Sequence, residues 1–494
     1  MSDYVLAVDQ GTTGTRAILV DHAGVVRGHA YREITQHYPQ PGWVEHDPLE
    51  IWDKTLAVVR EAKQQAGADD RALVAIGIAN QRETCLLIDR VTGNPLTPAV
   101  VWQCRRTADR CRELGRQGYG EMVRQKTGLS LDAYFSGSKL EWLLLNTDGA
   151  RQKARAGDLL AATMDTWLIW KLSNHTAHVT DMTNASRTML FDINQLDWDD
   201  DLLELFGVNR RVLPEVRPSQ GIFAYTSSGV PIAGVAGDQQ AALFGQACFE
   251  PGMVKTTYGT GAFVLMNTGE AAVDSRHGLL RTLTCGTQER PEYALEGSIF
   301  AAGAAVQWLR DVGVLEDVGR SEGVAGRVPS TDGVYMVPAF AGLGAPYWDM
   351  AARGALVGLT RGTGKAHIVR AALESIGYQV ADVVDAMVAD STVQPVDMRA
   401  DGGGSANNLL MQFQADILGM DVTRPHMLEA TALGAAYLAG LAVGFWASRE
   451  EVMGLAAGGR TFSPAITEGR RSTLRQGWIK AVDRARGWGA GNSS

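Results

Sequence analysis

The sequence predicts an α/β protein made of two similar halves, each opening on an antiparallel β-hairpin. Three observations carry this expectation. An apolar run at residues 4–8, a Gly/Thr-rich turn and a second apolar run at 17–20 read as strand, turn, strand. The same order recurs with 254–257, Gly259-Thr260-Gly261 and 263–266. Elsewhere strand-like runs alternate with 3.6-periodic stripes. At 494 residues the chain has room for two large domains. Pro251-Gly252 marks the break between the repeats, so the halves are expected at 1–247 and 248–494.

The remaining elements follow in order. Residues 73–78 form an apolar run that ends in Asn80-Gln81-Arg82-Glu83-Thr84, and 230–236 form another that ends in Gly237-Asp238. Ile368, Ala372, Ile376, Val380, Val383, Val384 and Met387 make one helical stripe, and Leu409, Phe413 and Ile417 make a second. Residues 430–448 carry no formal charge and approach membrane-spanning length, but three glycines and many alanines point to a tightly packed buried helix. Asp3 and Asp9 interrupt the first apolar run, so no signal peptide is expected there.

Composition narrows the classes. A hydrophobic share of 45% with 20% charged residues excludes a disordered chain and a coiled coil. The net charge of −9, from 46 basic and 55 acidic residues, speaks against a nucleic-acid partner. Five cysteines, an odd number with no CxxC, suit a reduced, cytoplasmic compartment. His175 and His178 lack a third nearby ligand for a metal. Fifty-six glycines, above the usual share of roughly 7%, imply many tight turns or loops that approach a ligand closely.

The strongest local signal is Asp9-Gln10-Gly11-Thr12-Thr13-Gly14-Thr15-Arg16. Backbone N–H groups and hydroxyls of such a turn can surround phosphate oxygens. Arg16 adds a planar cationic donor, and Asp9 can hold Mg²⁺ directly or through water. The alternative is an ordinary hairpin turn. No phosphate-binding Walker loop and no dinucleotide GxGxxG fingerprint is present: Gly364-Lys365 is followed by Ala366. Gly259-Thr260-Gly261 matches the first turn, and the loop 401–408 precedes a helical stripe, at whose N-terminus an anion is favoured. Asp238 is either a helix cap or a carboxylate placed to take a hydroxyl proton. Arg82 and Glu83 are either a surface ion pair or a donor–acceptor pair suited to a polyol. Trp102, Tyr134 and Phe263 are either core or the walls of a small carbon chain.

Taken together these residues resemble the FGGY carbohydrate kinases of the actin/hexokinase/heat-shock-chaperone ATPase superfamily, and within them the branch that acts on glycerol. The resemblance spans nearly the whole chain. It rests on DQGTTGTR at 9–16, GWVEHDP at 42–48, NQRET at 80–84, VWQCRRT at 101–107, YFSG at 134–137, DTWLIWKL at 165–172, TNASRTMLF at 183–191, AGDQQAALFGQ at 236–246, YGTGAF at 258–263, GLGAPYW at 342–348 and TALGAAYLAGLAVGFW at 431–446. It implies two ribonuclease-H-like, actin-like ATPase domains flanking a deep catalytic cleft, with the first holding glycerol and the base and the second the nucleotide. It implies transfer of the γ-phosphate of ATP to glycerol with Mg²⁺. The family's acceptor contacts fall on Arg82, Glu83, Trp102, Tyr134, Asp238, Gln239 and Phe263, with Asp238 as general base. Its nucleotide contacts fall on Thr12, Thr13, Gly14, Arg16, Thr260, Gly303, Gln307, Gly404 and Asn408, and its Mg²⁺-associated aspartate on Asp9. Many relatives carry Ser-Ser where Gly14-Thr15 stand here. A homo-oligomer, a dimer or tetramer, with no membrane insertion is expected. The rival readings are a family member for another polyol or ketose, and an actin- or chaperone-like ATPase. Dependence of ATP turnover on a small acceptor separates the last from the others.

Family members that respond to fructose 1,6-bisphosphate resemble this chain up to about Ser219 and then carry a longer Gly-rich loop with an arginine. Others place there a histidine that accepts a phosphoryl group. Here Ala224-Tyr225-Thr226-Ser227-Ser228-Gly229-Val230-Pro231 is shorter, and residues 218–237 contain no Lys, Arg or His. A bisphosphate needs cationic forks or a nest of amides. Steady-state turnover is therefore expected to stay unchanged as fructose 1,6-bisphosphate is titrated to millimolar levels; saturable inhibition would contradict this reading of the loop.

Overall fold

The computed structural model describes residues 3–286, 289–426 and 429–489. Both expected hairpins form. β1 (Tyr4–Gln10) pairs antiparallel with β2 (Gly14–Val20), and β3 (Val26–Glu33) extends the meander. β4 (Leu73–Asn80) lies parallel to β1 on its other side, followed by β5 (Gln220–Tyr225) and β6 (Pro231–Gly237). The sheet order is β5-β6-β4-β1-β2-β3.

The second half repeats the plan. β7 (Met253–Tyr258), β8 (Ala262–Gly269), β9 (Leu280–Leu283), β10 (Tyr293–Ile299), β11 (Asp397–Asp401), β12 (Val422–Arg424) and β13 (Arg460–Phe462) form a sheet in the order β9-β10-β8-β7-β11-β12-β13. The antiparallel run β7-β8-β10 matches β1-β2-β3, and the parallel strands β11 and β12 match β4 and β6. The fold is thus two ribonuclease-H-like α/β halves. A lobe inserted mainly after β4 carries a four-stranded sheet, three strands of which follow β4 while the edge strand Glu45–His46 precedes it. Its core, with Leu87, Phe135 and Leu190, runs on into Leu280, Leu283 and Tyr293 of the second half, so apolar burial joins the halves on one side of the cleft.

Six helices position the site: α1 (Pro48–Ala66), α2 (Asp238–Gly245), α3 (Gly303–Asp311), α4 (Lys365–Ser391), α5 (Asn408–Leu418) and α6 (Ala430–Ala442). Asp47 caps α1 by accepting from the Leu49 N–H, and Gly67 ends it with a left-handed φ of 62°. The stripe from Ile376 to Met387 lies buried along α4. The loop after β11 ends at a helix N-terminus as expected: residues Gly403–Ala406 form a 3-10 turn, and Asn407 then caps α5 by accepting from the Leu410 N–H.

The uncharged stretch after residue 430 supplies α6, and it is buried on nearly all sides. Among the described residues no helix is long and apolar enough to cross a membrane. α6 packs on β4, β6 and α2, all in the first half, so a cut at residue 247 does not separate the two layers. Small residues make this contact possible. A Cβ on Gly77 of β4 would fall on the Ala435 carbonyl, and one on Gly434 of α6 would fall on the Ala241 carbonyl of α2. Backbone meets backbone, and no rotamer change can open space.

Gly434→Ala is therefore expected to destabilise the protein by about 2–3 kcal/mol, the scale of overpacking in a dense core. Gly469→Ala, whose Cβ would meet nothing within 4 Å, should leave the melting temperature near that of the parent. Thermal melts of the two variants side by side check the contrast.

Candidate functional site

Parallel strands β1, β4 and β6 end at one edge of the first sheet, and crevices at such edges are where α/β folds bind ligands. Asp9 stands near the end of β1, Arg82 and Glu83 follow β4, and Asp238 follows β6 as the first residue of α2. Asp238 is not the helix cap; Gly237 occupies that position. The Asp238 side chain instead pairs with Arg82, whose Nε lies 3.2 Å away, and accepts from the Gln239 N–H at 2.7 Å. It is 30% exposed where Arg82 is only 2% exposed, so its carboxylate opens to the cleft while the guanidinium lies beneath.

Arg82 and Glu83 are no surface pair. Arg82 donates to both carboxylate oxygens of Glu296 on β10, at 2.7 and 3.1 Å. Arg187 donates from Nε to Glu83 at 2.6 Å and from Nη2 to Glu296 at 3.1 Å. Two cations and two anions alternate in the dry interior. Burial pushes Glu296 up, but Arg187 and Arg82 outweigh it and bring the carboxyl down to about 2. Glu83 goes the other way: burial wins over Arg187 and Arg82, and its pKa is raised. Glu83 also sits at a left-handed φ of 62°, a costly conformation for a residue with a Cβ. Its backbone carbonyl accepts from Ser136 Oγ at 3.0 Å, and Arg187 holds its side chain.

Around this cluster stand the aromatic residues. Trp102 and Tyr134 meet edge to face at 5.4 Å between ring centroids. Lys139, fully buried, donates to the carbonyls of Ala133, Tyr134 and Phe135 and fixes the loop that carries Tyr134. Phe263 on β8 packs beside Leu243 and Leu265, on the strand face opposite its neighbours Ala262 and Val264. Gln239 accepts from Lys255 Nζ at 2.6 Å, which ties the start of α2 to β7.

The nucleotide-type residues divide between the halves. Thr12 and Thr13 lie at the tip of the first hairpin. Gly14 is buried, and a Cβ there would strike the Tyr31 ring, so the residue lacks more than a hydroxyl: Tyr31 fills the space a serine side chain would need. Arg16 pairs with Glu429 beside α6 and lies 5.6 Å from the Tyr31 ring centroid. Thr260, Gly303, Gln307 and Gly404 line a cavity of about 380 Å³ in the second half. Asn408 is not among its lining residues. Its amide is held by Glu322 at 3.0 Å, and its oxygen accepts from Arg424 and Arg460; it borders a neighbouring groove with Arg327 and Phe462.

Desolvation raises the Asp9 carboxyl to about 7, with Asp238 and Glu429 reinforcing it against the pull of Arg16. Arg16 alone does not offset the burial of this carboxylate, which suits a hard cation whose other ligands are phosphate and water oxygens. Among the described residues no group of three His, Cys, Asp or Glu side chains could hold a metal ion by itself.

Four charged residues of the site escaped the sequence reading: Arg187, Lys255, Glu296 and Glu429. Lys255 and Glu296 each interrupt an otherwise apolar buried strand, and a charge in such a place demands a partner. That signal was present; which partner it meets depends on the other half of the chain.

Comparison with known proteins completes the site. Residues 4–245 match the N-terminal domain of the FGGY family of carbohydrate kinases, and residues 254–443 match its C-terminal domain. The chain belongs to the FGGY family of carbohydrate kinases. Glycerol kinase of Carboxydothermus hydrogenoformans is 57% identical over 492 residues, covering 98% of each chain. Glycerol kinase 2 of Thermotoga maritima is 55% identical over 491 residues, covering 98% of this chain and 99% of that protein. The crystal structure of Plasmodium falciparum glycerol kinase with ADP superposes with a TM-score of 0.93 at 36% identity, covering 98% of both chains. A ligand-bound xylulose kinase from Lactobacillus acidophilus shares the fold at 20% identity and a TM-score of 0.87, covering 99% of both.

The charge cluster makes one statement about acid stability. Glu296 has a folded pKa near 2 against an ordinary value of 4.5. Its contribution is complete above pH 4.5 and is lost as pH falls from there towards 2. Glu296→Gln is expected to lower the melting temperature strongly at pH 7, because it leaves two buried guanidinium groups underpaired. The gap to the parent should narrow below about pH 4.5. Melts of both proteins across pH 3–7 check the sign.

Proposed function

We propose that this family member transfers the γ-phosphoryl group of ATP to a terminal hydroxyl of glycerol, giving sn-glycerol 3-phosphate and ADP as the first step of glycerol breakdown in the cytoplasm. One observation carries the reading. The Arg82–Glu83 donor–acceptor pair is buried beside Trp102 and Tyr134, and Arg82 is ion-paired at 3.2 Å with the cleft-facing carboxylate of Asp238. A short polyol set on that pair presents a hydroxyl to a proton acceptor. The full-length relatives named glycerol kinase, 55–57% identical, support the same acceptor.

In this reading Asp238 accepts the proton as the hydroxyl oxygen bonds to the γ-phosphorus and the bond to ADP breaks. Arg82 and the Gln239 N–H hold Asp238 Oδ1, and Oδ2, which accepts from Gln239 Nε2 at 3.3 Å, is the oxygen left to meet the hydroxyl. Thr12, Thr13, Gly14, Arg16 and the hairpin amides lie against the phosphates. Thr260, Gly303, Gln307 and Gly404 hold the nucleoside end, with Asn408 beside them in the adjoining groove. Mg²⁺ at Asp9 would supply positive charge to the phosphate oxygens. Phe263 from the second half and Gln239 at the start of α2 close the acceptor side. The chain is proposed to work as a homo-oligomer, a dimer or tetramer.

Coupled ADP release with a panel of polyols and ketoses tests the acceptor: glycerol should give by far the highest kcat/KM, and a preference for a longer sugar would overturn the reading. Asp238→Asn is expected to lower kcat by about 10²–10⁴, the usual size of a general-base contribution, with glycerol and ATP binding by calorimetry near parental. Near-normal turnover in that variant would remove Asp238 from the proton-accepting role.

A further inference from the structure

We propose that Trp102 is a positioning residue for the transfer step: its indole N–H turns the Thr12 hydroxyl into a hydrogen-bond donor aimed at the transferring phosphoryl group. The inference rests on the phosphotransfer reading above and adds a role to a residue otherwise counted as an apolar wall.

Trp102 Nε1 donates to Thr12 Oγ1 at 2.8 Å. A hydroxyl has one proton and two lone pairs. Once a lone pair is taken by the indole, the Thr12 proton must point away from it, and no described residue accepts that proton. Thr12 is partly exposed at the tip of the hairpin, three residues beyond Asp9, where phosphate oxygens are to lie. A free threonine hydroxyl rotates among three wells; this one is barred from the well that faces the indole, and its proton is confined to the other two before the nucleotide arrives. Preorganised donors of this kind need no reorganisation in the transition state.

The bond is braced from both ends by a closed circuit of polar contacts. The Thr12 carbonyl accepts from Gln36 Nε2 at 2.8 Å. Gln36 Oε1 is 2.8 Å from His46 Nε2, so with the Gln36 amide nitrogen already committed, His46 must donate from Nε2 and accept at Nδ1. Gln81 Nε2 lies 3.3 Å from that Nδ1 and 3.1 Å from Gln10 Oε1. Thr84 Oγ1 donates to Gln81 Oε1 at 2.9 Å and accepts the Trp102 backbone N–H at 3.2 Å. The circuit thus runs from the phosphate hairpin through His46 to Trp102 and back. It gives a task to the GWVEHDP segment, in which His46 is buried. Because the Trp102 ring also meets Tyr134 edge to face, an acceptor resting on the indole would steady the same N–H that sets Thr12.

The rival explanation is that the indole N–H merely needs a partner, as buried indoles do. A double-mutant cycle on the full-length protein separates the two. Trp102→Phe keeps an aromatic wall and removes the N–H; Thr12→Val removes the hydroxyl. With saturating ATP, Trp102→Phe is expected to lower kcat about fivefold to tenfold, the worth of one oriented hydrogen bond to a charged group, with KM for glycerol within about twofold. In the Thr12→Val background the same change should cost less than about twofold, while Thr12→Ser should restore full sensitivity. Equal losses in the parent and Thr12→Val backgrounds, or a raised KM with unchanged kcat, would overturn the proposal. Benzothienylalanine at position 102, which replaces the N–H by sulfur at nearly constant shape, should reproduce the Trp102→Phe loss; it decides the matter if the phenylalanine variant melts early. The parent is assayed first with the polyol panel. Failure on glycerol there counts against the acceptor assignment alone, and the cycle is then read on whichever acceptor turns over.

Discussion

Arg82 can lie dry beneath the cleft because Glu296 reaches it from the other half of the molecule. The bidentate contact, at 2.7 and 3.1 Å, joins the loop after β4 to the centre of β10. An unpaired guanidinium at that depth would cost several kcal/mol. Paired, it becomes a rigid fork whose Nε meets Asp238. Arg187 completes the neutralisation and holds Glu83 in a backbone conformation it would not otherwise keep. The setting of Glu83 and Asp238 and the attachment of the two halves therefore share one set of charges.

Other parts of the structure serve that arrangement. α6 brings chain from beyond residue 429 onto the first sheet, and Glu429 at its start meets Arg16 of the hairpin. α2 begins with Asp238 and packs against α6 through Gly245 and Gly434. Its Gln239 is tied to Lys255 of β7, and Gln246, just past its end, to Asp401 at the end of β11. Behind the strand ends, Asp181 accepts from Thr183, Asn184 and Ser219, while Thr183 Oγ1 accepts the Gly237 N–H at 2.8 Å. Gly237, the residue before Asp238, is thus fixed through Thr183 by a buried carboxylate with no exposed surface.

Much of this was legible in the sequence because it is local. Hairpins, Gly/Thr turns and helical stripes are set by neighbours within a few residues, and the repeat of strand, turn, strand revealed the two halves. What was not legible depends on long-range pairing. Arg82-Glu83 read equally well as a surface pair, because Glu296 lies more than two hundred positions away. Gly14 read as a lost hydroxyl, because the Tyr31 ring that fills its space comes from the next strand over. The position of α6 on the first sheet could not follow from its composition, which only says that it is buried.

The claim that a residue of the second sheet governs acceptor binding on the first is tested most directly by calorimetric titration of full-length Glu296→Gln with glycerol and, separately, with ADP. Glycerol affinity should fall by at least about tenfold, since the Arg82 fork loses its charged support, while ADP affinity stays within about twofold of the parent. Unchanged glycerol affinity in a folded Glu296→Gln protein would contradict the account.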